Sequence, residues 1–174
     1  YGTLLAPGVV KSTNHGGILT FDGTALSSAG QGYVKLSEDF YADFTAGITI
    51  SVWANVATGS GGWSRLVDFG NDRENNNFIL GVSGYDPSSF FMEIWGNGTS
   101  LTGPQTLTAI PFDQWNLYTL TGDGTSYYWY VNDQSPTTVG ASALPTSGTR
   151  NASNCRIGGS NWAVVDAGDD PTLK

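Results

Sequence analysis

The sequence is poor in cysteine, histidine and charge, and each shortage removes a class of function. With Cys155 as the one cysteine, no disulfide forms within the chain, and we expect a buried small side chain there. With His15 as the one histidine, a Ser-His-Asp triad or a zinc site lacks support. The 7 Lys and Arg stand against 15 Asp and Glu, so the net charge of -8 disfavours nucleic acid as a partner. No apolar run approaches the roughly 20 residues that span a bilayer, so we expect no membrane insertion.

Glycine and aromatic residues are plentiful instead. The 174 residues include 24 Gly, and 13% of them are aromatic. This length fits one domain over residues 1–174, and the aromatic side chains supply a core between two sheets. A surface of neutral polar residues is common in extracellular β-proteins, so we expect an extracellular or particle-surface location. Because the chain begins at Tyr1 rather than Met, we interpret it as a fragment of a larger protein.

Short runs of alternating apolar residues recur along the chain. In one of them Ile48, Ile50 and Val52 alternate with polar residues, which is typical of a strand with one face on a core. Asp123-Gly124 separates two such runs and predicts a tight hairpin. The pattern predicts an all-β fold, an antiparallel β-sandwich. The predicted strands are Gly17–Phe21, Gly32–Leu36, Gly47–Val56, Ser64–Phe69, Asn77–Val82, Phe90–Trp95, Asn116–Thr121, Ser126–Val131 and Asn154–Ile157.

Several short motifs also follow one another in a definite order. They are Gly17-Ile18-Leu19-Thr20-Phe21-Asp22-Gly23, Gly32-Tyr33-Val34-Lys35-Leu36, Gly47-Ile48-Thr49-Ile50-Ser51-Val52-Trp53, Leu66-Val67-Asp68-Phe69-Gly70, Trp115, Asp123-Gly124 and Tyr130-Val131-Asn132. Their order, over about residues 15 to 160, resembles the laminin-G-like domains of the concanavalin A-like lectin and glucanase superfamily. The resemblance implies a jelly-roll β-sandwich.

The sequence departs from the pattern of those domains at a few places. Leu117 stands where they often carry a His, and Asn132-Asp133 stands where Asn-Gly often closes the hairpin. They also typically have a strand before the equivalent of Tyr1 and another after the equivalent of Lys174. The resemblance therefore implies a sandwich that lacks its terminal strands and has an open sheet edge. We expect a larger polypeptide or a partner chain to cover that edge.

Carboxylates are not paired in the way that β-glucan cleavage requires. Enzymes of the superfamily place two carboxylates on one face of a strand, where they divide the acid and nucleophile roles. Glu93 is here the only carboxylate within a strong strand pattern, and we expect it to point outward from a half-buried strand. The resemblance without this pair implies a protein that is not an enzyme.

Two clusters of oxygen-bearing side chains are candidates for calcium sites. Calcium prefers several oxygens from carboxylates, amides and carbonyls. The clusters are Asp68, Asn71 and Asp72 after the fourth predicted strand, and Asp166, Asp169 and Asp170 near the end of the sequence. Ordinary turn formation is the alternative for both. The resemblance favours calcium, because laminin-G-like domains often bind it at a rim of the sandwich.

Aromatic residues in predicted loops are candidates for a sugar site. The apolar face of a sugar ring packs on an aromatic ring, and planar polar groups bond its hydroxyls. The candidates are Trp63, Tyr85, Trp95, Asn97 and Trp162, and packing beneath a loop is the alternative for the aromatic ones. Trp53, Trp115 and Trp129 lie within strand patterns, so we expect them in the core or on a sheet face.

These features predict a non-catalytic module that binds glycans or another cell-surface ligand. The alternative is an assembly module of a multichain object such as a phage virion, a surface layer or a filament, which the missing terminal strands favour. A remote glycoside hydrolase is a third possibility, and the unpaired Glu93 argues against it.

Overall fold

The computed structural model describes residues 3–5, 9–12, 18–21, 33–36, 47–70, 73–96, 98–102, 104–123, 125–139, 155–160 and 162. These residues form strands and no α-helix, and none of them builds a helix long and apolar enough to cross a membrane. The strands are β1 Thr3–Leu5, β2 Val9–Ser12, β3 Ile18–Phe21, β4 Tyr33–Lys35, β5 Ile48–Asn55, β6 Arg65–Phe69, β7 Phe78–Val82, β8 Ser89–Ile94, β9 Gln105–Ala109, β10 Trp115–Gly122, β11 Tyr127–Val131, β12 Thr137–Val139 and β13 Arg156–Ile157.

The strands form two main sheets. A seven-stranded sheet has the order β1-β4-β13-β6-β7-β8-β9, a four-stranded sheet has the order β12-β11-β10-β5, and β2 pairs with β3 in a separate ribbon. Every strand pair is antiparallel. The prediction of an antiparallel β-sandwich is therefore confirmed.

The core lies between the two main sheets and is rich in aromatic side chains. Phe90 on β8 contacts Tyr118 on β10 and Trp129 on β11, with ring centroids 4.7 and 5.4 Å apart. Tyr118 and Trp129 stack on each other at 5.7 Å. Cys155 is buried in the same cluster, as the sequence predicts. Burial of this apolar surface is the main force that holds the sheets together.

All nine predicted strands correspond to strands of the structure, with ends that differ by one or two residues. The predicted hairpin is also present, because β10 pairs with β11 and the Asp123 carboxylate accepts bonds from the backbone amides of Thr125 and Ser126, both at 2.8 Å. The sequence analysis missed β1, β2, β9 and β12. Of these, β1, β9 and β12 lie at sheet edges, where a strand needs fewer apolar residues to be held.

Strand β5 forms one edge of the four-stranded sheet. Within the described residues it pairs with β10 alone. Its inward side chains, Ile48, Ile50, Val52 and Ala54, are only half-buried, whereas β7 and β8 in the other sheet are buried throughout. A cavity of about 910 Å³ lies along this strand and is also lined by residues of β3.

Candidate functional site

The outer face of the seven-stranded sheet carries a row of charged side chains. Lys35, Arg156 and Asp68 stand directly opposite one another on neighbouring strands, and Glu93 continues the row beyond the uncharged Ile79, since cross-strand partners share a face. Asp68 is 0% exposed, Glu93 5% and Arg156 8%. A charged side chain is stable in a buried position only where neighbouring protein groups compensate its charge. We therefore expect each of these buried side chains to have such partners.

Arg65 lies on the same face of the sheet and is 1% exposed. Its Nη1 donates a hydrogen bond to the backbone carbonyl of Trp63, and its Nε lies 3.8 Å from Oδ2 of Asp68. The Nδ2 of Asn77 donates to Oδ1 of Asp68 at 3.1 Å. The carboxylate is thus held by a guanidinium and an amide in a dry environment, where the charges interact strongly.

Aromatic rings surround the Arg65 guanidinium. Its Cζ lies 5.9 Å from the ring centroid of Trp63, 5.3 Å from that of Phe91 and 5.9 Å from that of Trp162. These distances are typical of cation–π contacts. We name the set formed by Arg65, Trp63, Phe91, Trp162, Tyr85, Trp95 and Arg73 the Arg65 cluster.

On one side of the Arg65 cluster, the backbone of Gly84 lies close to the Trp63 ring and fixes its position. A Cβ atom added to Gly84 would lie 1.9 Å from Cε2 of Trp63, so only glycine leaves room for the indole. Trp63 itself has a φ of 67°, in the left-handed region that residues other than glycine rarely adopt. The Tyr85 ring meets the indole edge-on at 5.1 Å and is 79% exposed. This side of the cluster therefore presents an exposed phenol on a rigid support.

On the other side, Trp162 contacts Trp95 at 5.5 Å, again edge-on. The Cζ of Arg73 lies 5.3 Å from the Trp162 centroid. Arg73 also pairs with Glu74 at 3.3 Å, and both side chains are well exposed, at 42% and 38%. Arg73 thus provides a solvent-accessible cation beside the indole.

The structure gathers the predicted aromatic residues around a side chain that the sequence analysis missed. Trp63 and Trp162 contact Arg65 directly, while Tyr85 contacts Trp63 and Trp95 contacts Trp162. The sequence did contain a signal for Arg65. It has only 7 Lys and Arg, and two of the arginines, Arg65 and Arg156, lie within strand patterns, where a charged side chain is unusual. Of the remaining candidates, Asn97 and His15 lie outside the described residues.

A family model of the laminin-G type, described as the concanavalin A-like lectin/glucanases superfamily, matches residues 28–170. The chain belongs to this superfamily. Its laminin-G-like domain is similar in fold to a solved structure described as Ruminococcus gnavus IT-sialidase CBM40 bound to alpha2,3 sialyllactose. The TM-score is 0.51 at 15% sequence identity, and the match covers 81% of this chain and 83% of the other. No curated protein sequence matches the domain.

The calcium candidates of this laminin-G-like domain fall almost wholly outside the described residues. Asp68 lies within β6 rather than after it, and its carboxylate is held by Asn77 and Arg65. The other predicted ligands, Asn71, Asp72, Asp166, Asp169 and Asp170, are not described. In the part of the domain that is described, no three acidic, histidine or cysteine side chains come together. Calcium binding by this laminin-G-like domain therefore stays a prediction.

Glu93 differs from the expectation of a half-buried strand, because β8 of the laminin-G-like domain is buried on both faces. The carboxylate accepts a hydrogen bond from Oγ of Ser100 at 3.3 Å. Burial raises the pKa of Glu93 above its ordinary value, and its hydrogen bonds together with the charge of Arg65 oppose this shift. The nearby Glu74 carboxylate adds to the rise.

The pH dependence of stability tests the environment of Glu93. Since its folded pKa is raised, Glu93 supports the fold below the ordinary glutamate pKa, and that support is lost as the pH rises through the raised pKa. We expect the free energy of unfolding of Glu93→Gln, relative to the unchanged protein, to increase over this window and then to level off. Urea unfolding at a series of pH values measures the difference.

Taking the difference in the free energy of unfolding between Glu93→Gln and the unchanged protein removes the effect of the other carboxylates. Asp86, Asp113 and Asp123 have lowered pKa values because hydroxyl and backbone N–H groups donate to them, so their support is lost toward acid pH in both proteins. Parallel stability curves for the two proteins would show that burial leaves the pKa of Glu93 unchanged.

Proposed function

We propose that this domain is a non-catalytic carbohydrate-binding module and that the glycan binds at the Arg65 cluster. The observation that carries the proposal is a pair of indoles, Trp63 and Trp162, that both contact one buried guanidinium. Each indole also contacts a further aromatic ring, Tyr85 on Trp63 and Trp95 on Trp162. Aromatic surfaces held rigidly on the outer face of a sheet suit the apolar faces of sugar rings. The extracellular location that we expect is compatible with such a ligand.

The exposed members of the cluster are the ones that would touch a glycan. Tyr85 offers a ring face and a hydroxyl, and Arg73 offers donors beside the Trp162 indole. Arg65 is too deeply buried to contact a ligand, so it acts as a positioning residue that fixes Trp63 and Trp162. Preorganised rings lose little conformational entropy on binding.

The exposed guanidinium favours a glycan with a carboxylate. Arginine recognises carboxylates through paired hydrogen bonds, and Arg73 is accessible to solvent. The similar CBM40 structure is described as bound to alpha2,3 sialyllactose, whose sialic acid carries such a group. We therefore take α2,3-sialyllactose as the first ligand to test and neutral lactose as its matched control.

The two buried carboxylates do not form an accessible acid and base pair. Asp68 and Glu93 face the same side of the sheet, separated by β7, but they are 0% and 5% exposed. A glycosidic bond must reach both carboxylates in hydrolysis. The proposed role is for this reason binding without cleavage.

Calorimetric titration with α2,3-sialyllactose tests the site. We expect the unchanged domain to bind it more tightly than lactose and Tyr85→Ala to weaken binding about five- to tenfold, because the exposed ring would be lost. Tyr128→Ala removes an exposed tyrosine from the opposite sheet and is expected to leave this affinity unchanged. Titrations with added calcium and with a chelator show whether the metal contributes.

Two results would contradict the proposal. Equal losses in Tyr85→Ala and Tyr128→Ala would place the ligand away from the Arg65 cluster. Release of sialic acid or glucose from sialyllactose, followed by mass spectrometry during incubation, would show cleavage, and loss of that activity in Glu93→Gln would assign it to this face.

A second role, assembly with a partner chain, is favoured by the edge strand β5. Its half-buried inward side chains lie beside a cavity of about 910 Å³, and strand addition at such an edge is a common mode of association. Light scattering at increasing protein concentration tests association between copies of the chain. A constant monomer mass would exclude such self-association and leave only a different chain as partner.

A further inference from the structure

The outward face of the four-stranded sheet has an unusual composition. Its side chains are identified by the cross-strand register and by their alternation with buried residues. None of them is charged: they are Thr49, Ser51, Trp53, Asn55, Trp115, Leu117, Thr119, Thr121, Tyr128, Tyr130 and Thr138. A protein surface of this size normally carries Lys, Glu, Asp or Arg. We name these residues the neutral face.

Two indoles form an exposed pair on the neutral face. Trp53 is 60% exposed and Trp115 is 42% exposed. Their ring centroids lie 6.5 Å apart and their planes are within 11° of parallel. Trp53 stands opposite Leu117, and Trp115 stands opposite Asn55, so the pair is rigidly placed on two neighbouring paired strands. Large aromatic side chains in this exposed position contribute little to the core.

Hydroxyl groups continue the neutral face beyond the indoles. Ser51 and Thr119 are hydrogen-bonded to each other through their side chains at 3.1 Å, and Thr49 stands opposite Thr121. A hollow of about 380 Å³ borders Thr49, Thr121 and Tyr128 at one end of the face, and the cavity of about 910 Å³ borders the two indoles at the other.

The neutral face is long enough to hold a chain of several sugar rings rather than a single sugar. Strands β5 and β10 each have eight residues, which corresponds to a length of about 24 Å. Asp113 and Asp123 lie just beyond the two ends of β10, and their carboxylates accept hydrogen bonds from Thr58 and from the hairpin amides. Between them the face offers only stacking surfaces and neutral hydrogen-bonding groups.

We propose that the neutral face binds an uncharged polysaccharide chain along β5 and β10, with sugar rings packed on Trp53 and Trp115. The hydroxyl and amide groups of the face match sugar hydroxyls as donors and acceptors, and the absence of charge avoids the cost of desolvating ions. This site is separate from the Arg65 cluster, which lies on the other sheet and offers cations. The domain would then hold two different kinds of glycan on opposite faces.

Affinity electrophoresis and pull-down with neutral polysaccharides test this site. The probes are cellulose, xylan, mannan and starch. We expect the unchanged domain to bind at least one of them, Trp53→Ala and Trp115→Ala each to weaken that binding about tenfold, and the double variant to lose it. Leu101→Ala, at an exposed apolar side chain that follows β8 of the other sheet, is the control and is expected to bind as the unchanged domain does.

The outcomes separate this site from the proposed function. Binding to none of the four probes would overturn the neutral face as a polysaccharide site while leaving sialyllactose binding unaffected. A change in molecular mass on Trp53→Ala, measured by light scattering, would overturn it in favour of a contact between copies of the chain. Because Trp53 is exposed, unfolding midpoints of the variants should match that of the unchanged domain, and a loss of binding then reports on the face itself.

Discussion

Trp129→Ala is expected to lower the free energy of unfolding by about 3–5 kcal/mol, since it removes a large buried aromatic side chain and leaves a cavity. Trp129 is 1% exposed and contacts Phe90 from the opposite sheet and Tyr118 from its own. Its Nε1 also donates a hydrogen bond to Oγ1 of Thr108 at 2.9 Å, which joins β11 to β9. The side chain therefore connects both sheets, and urea unfolding followed by circular dichroism measures its contribution.

Trp53→Ala is the matched control for this experiment. The same chemical change at a side chain that is 60% exposed is expected to alter the free energy of unfolding by no more than about 0.5 kcal/mol. Trp129→Phe separates the two contributions, because it keeps a ring in the core and loses the bond to Thr108. Equal effects of the two alanine variants would mean that the core between the sheets is not built as described.

Arg65→Met is expected to have an effect of similar size, about 3–5 kcal/mol, because it leaves the Asp68 carboxylate buried without its guanidinium. Met preserves most of the length of the side chain, so the loss reflects charge and hydrogen bonding more than volume. Asp68 is 0% exposed, so solvent does not compensate its charge when the guanidinium is removed. The measurement is again urea unfolding at neutral pH.

Arg73→Met is the control for the loss of an arginine. Its partner Glu74 is 38% exposed, and exposed ion pairs contribute only about 0–1 kcal/mol. Adding Asp68→Asn to Arg65→Met is expected to recover much of the lost stability, because an asparagine carries no charge and its oxygen still accepts from Asn77. If the second substitution recovers nothing, the loss of the guanidinium beside the buried Asp68 charge is not the cause.

The two arginine variants also bear on binding. Arg65→Met removes the group that holds Trp63 and Trp162, so the rings of the Arg65 cluster lose their common support. Arg73→Met removes only the exposed cation. A glycan that depends on ring placement responds to the first change, and one that depends on charge responds to the second.

The strands were predictable where apolar alternation is strong. Strand β7 is a short continuous apolar run with Phe78, Ile79, Leu80 and Val82, and β10 carries Trp, Leu and Tyr between polar residues. Turn formers flank both runs, and the structure places both strands where expected. Strands β9 and β12 carry several Thr and lie at sheet edges, so pairing with a neighbour, rather than their own pattern, makes them strands. Pairing between distant segments leaves no signal in a local window of sequence.

The aromatic candidates were predictable individually and their grouping was not. Trp63, Tyr85, Trp95 and Trp162 all lie next to turn residues, which points to loops. Their approach to Arg65 depends on β13 lying beside β6 in the sheet, a contact between segments almost ninety residues apart. The exposed pair Trp53 and Trp115 likewise depends on the register of β5 against β10.

The sequence by itself determined an antiparallel β-sandwich with no histidine or cysteine cluster, because alternation, turn residues and composition are local properties. The tertiary structure decided which side chains share a face of each sheet. It buried Arg65 and Asp68 on one outer face and left a face without charge on the other, since strand order and register determine which distant side chains become neighbours. Both proposed glycan sites follow from that arrangement.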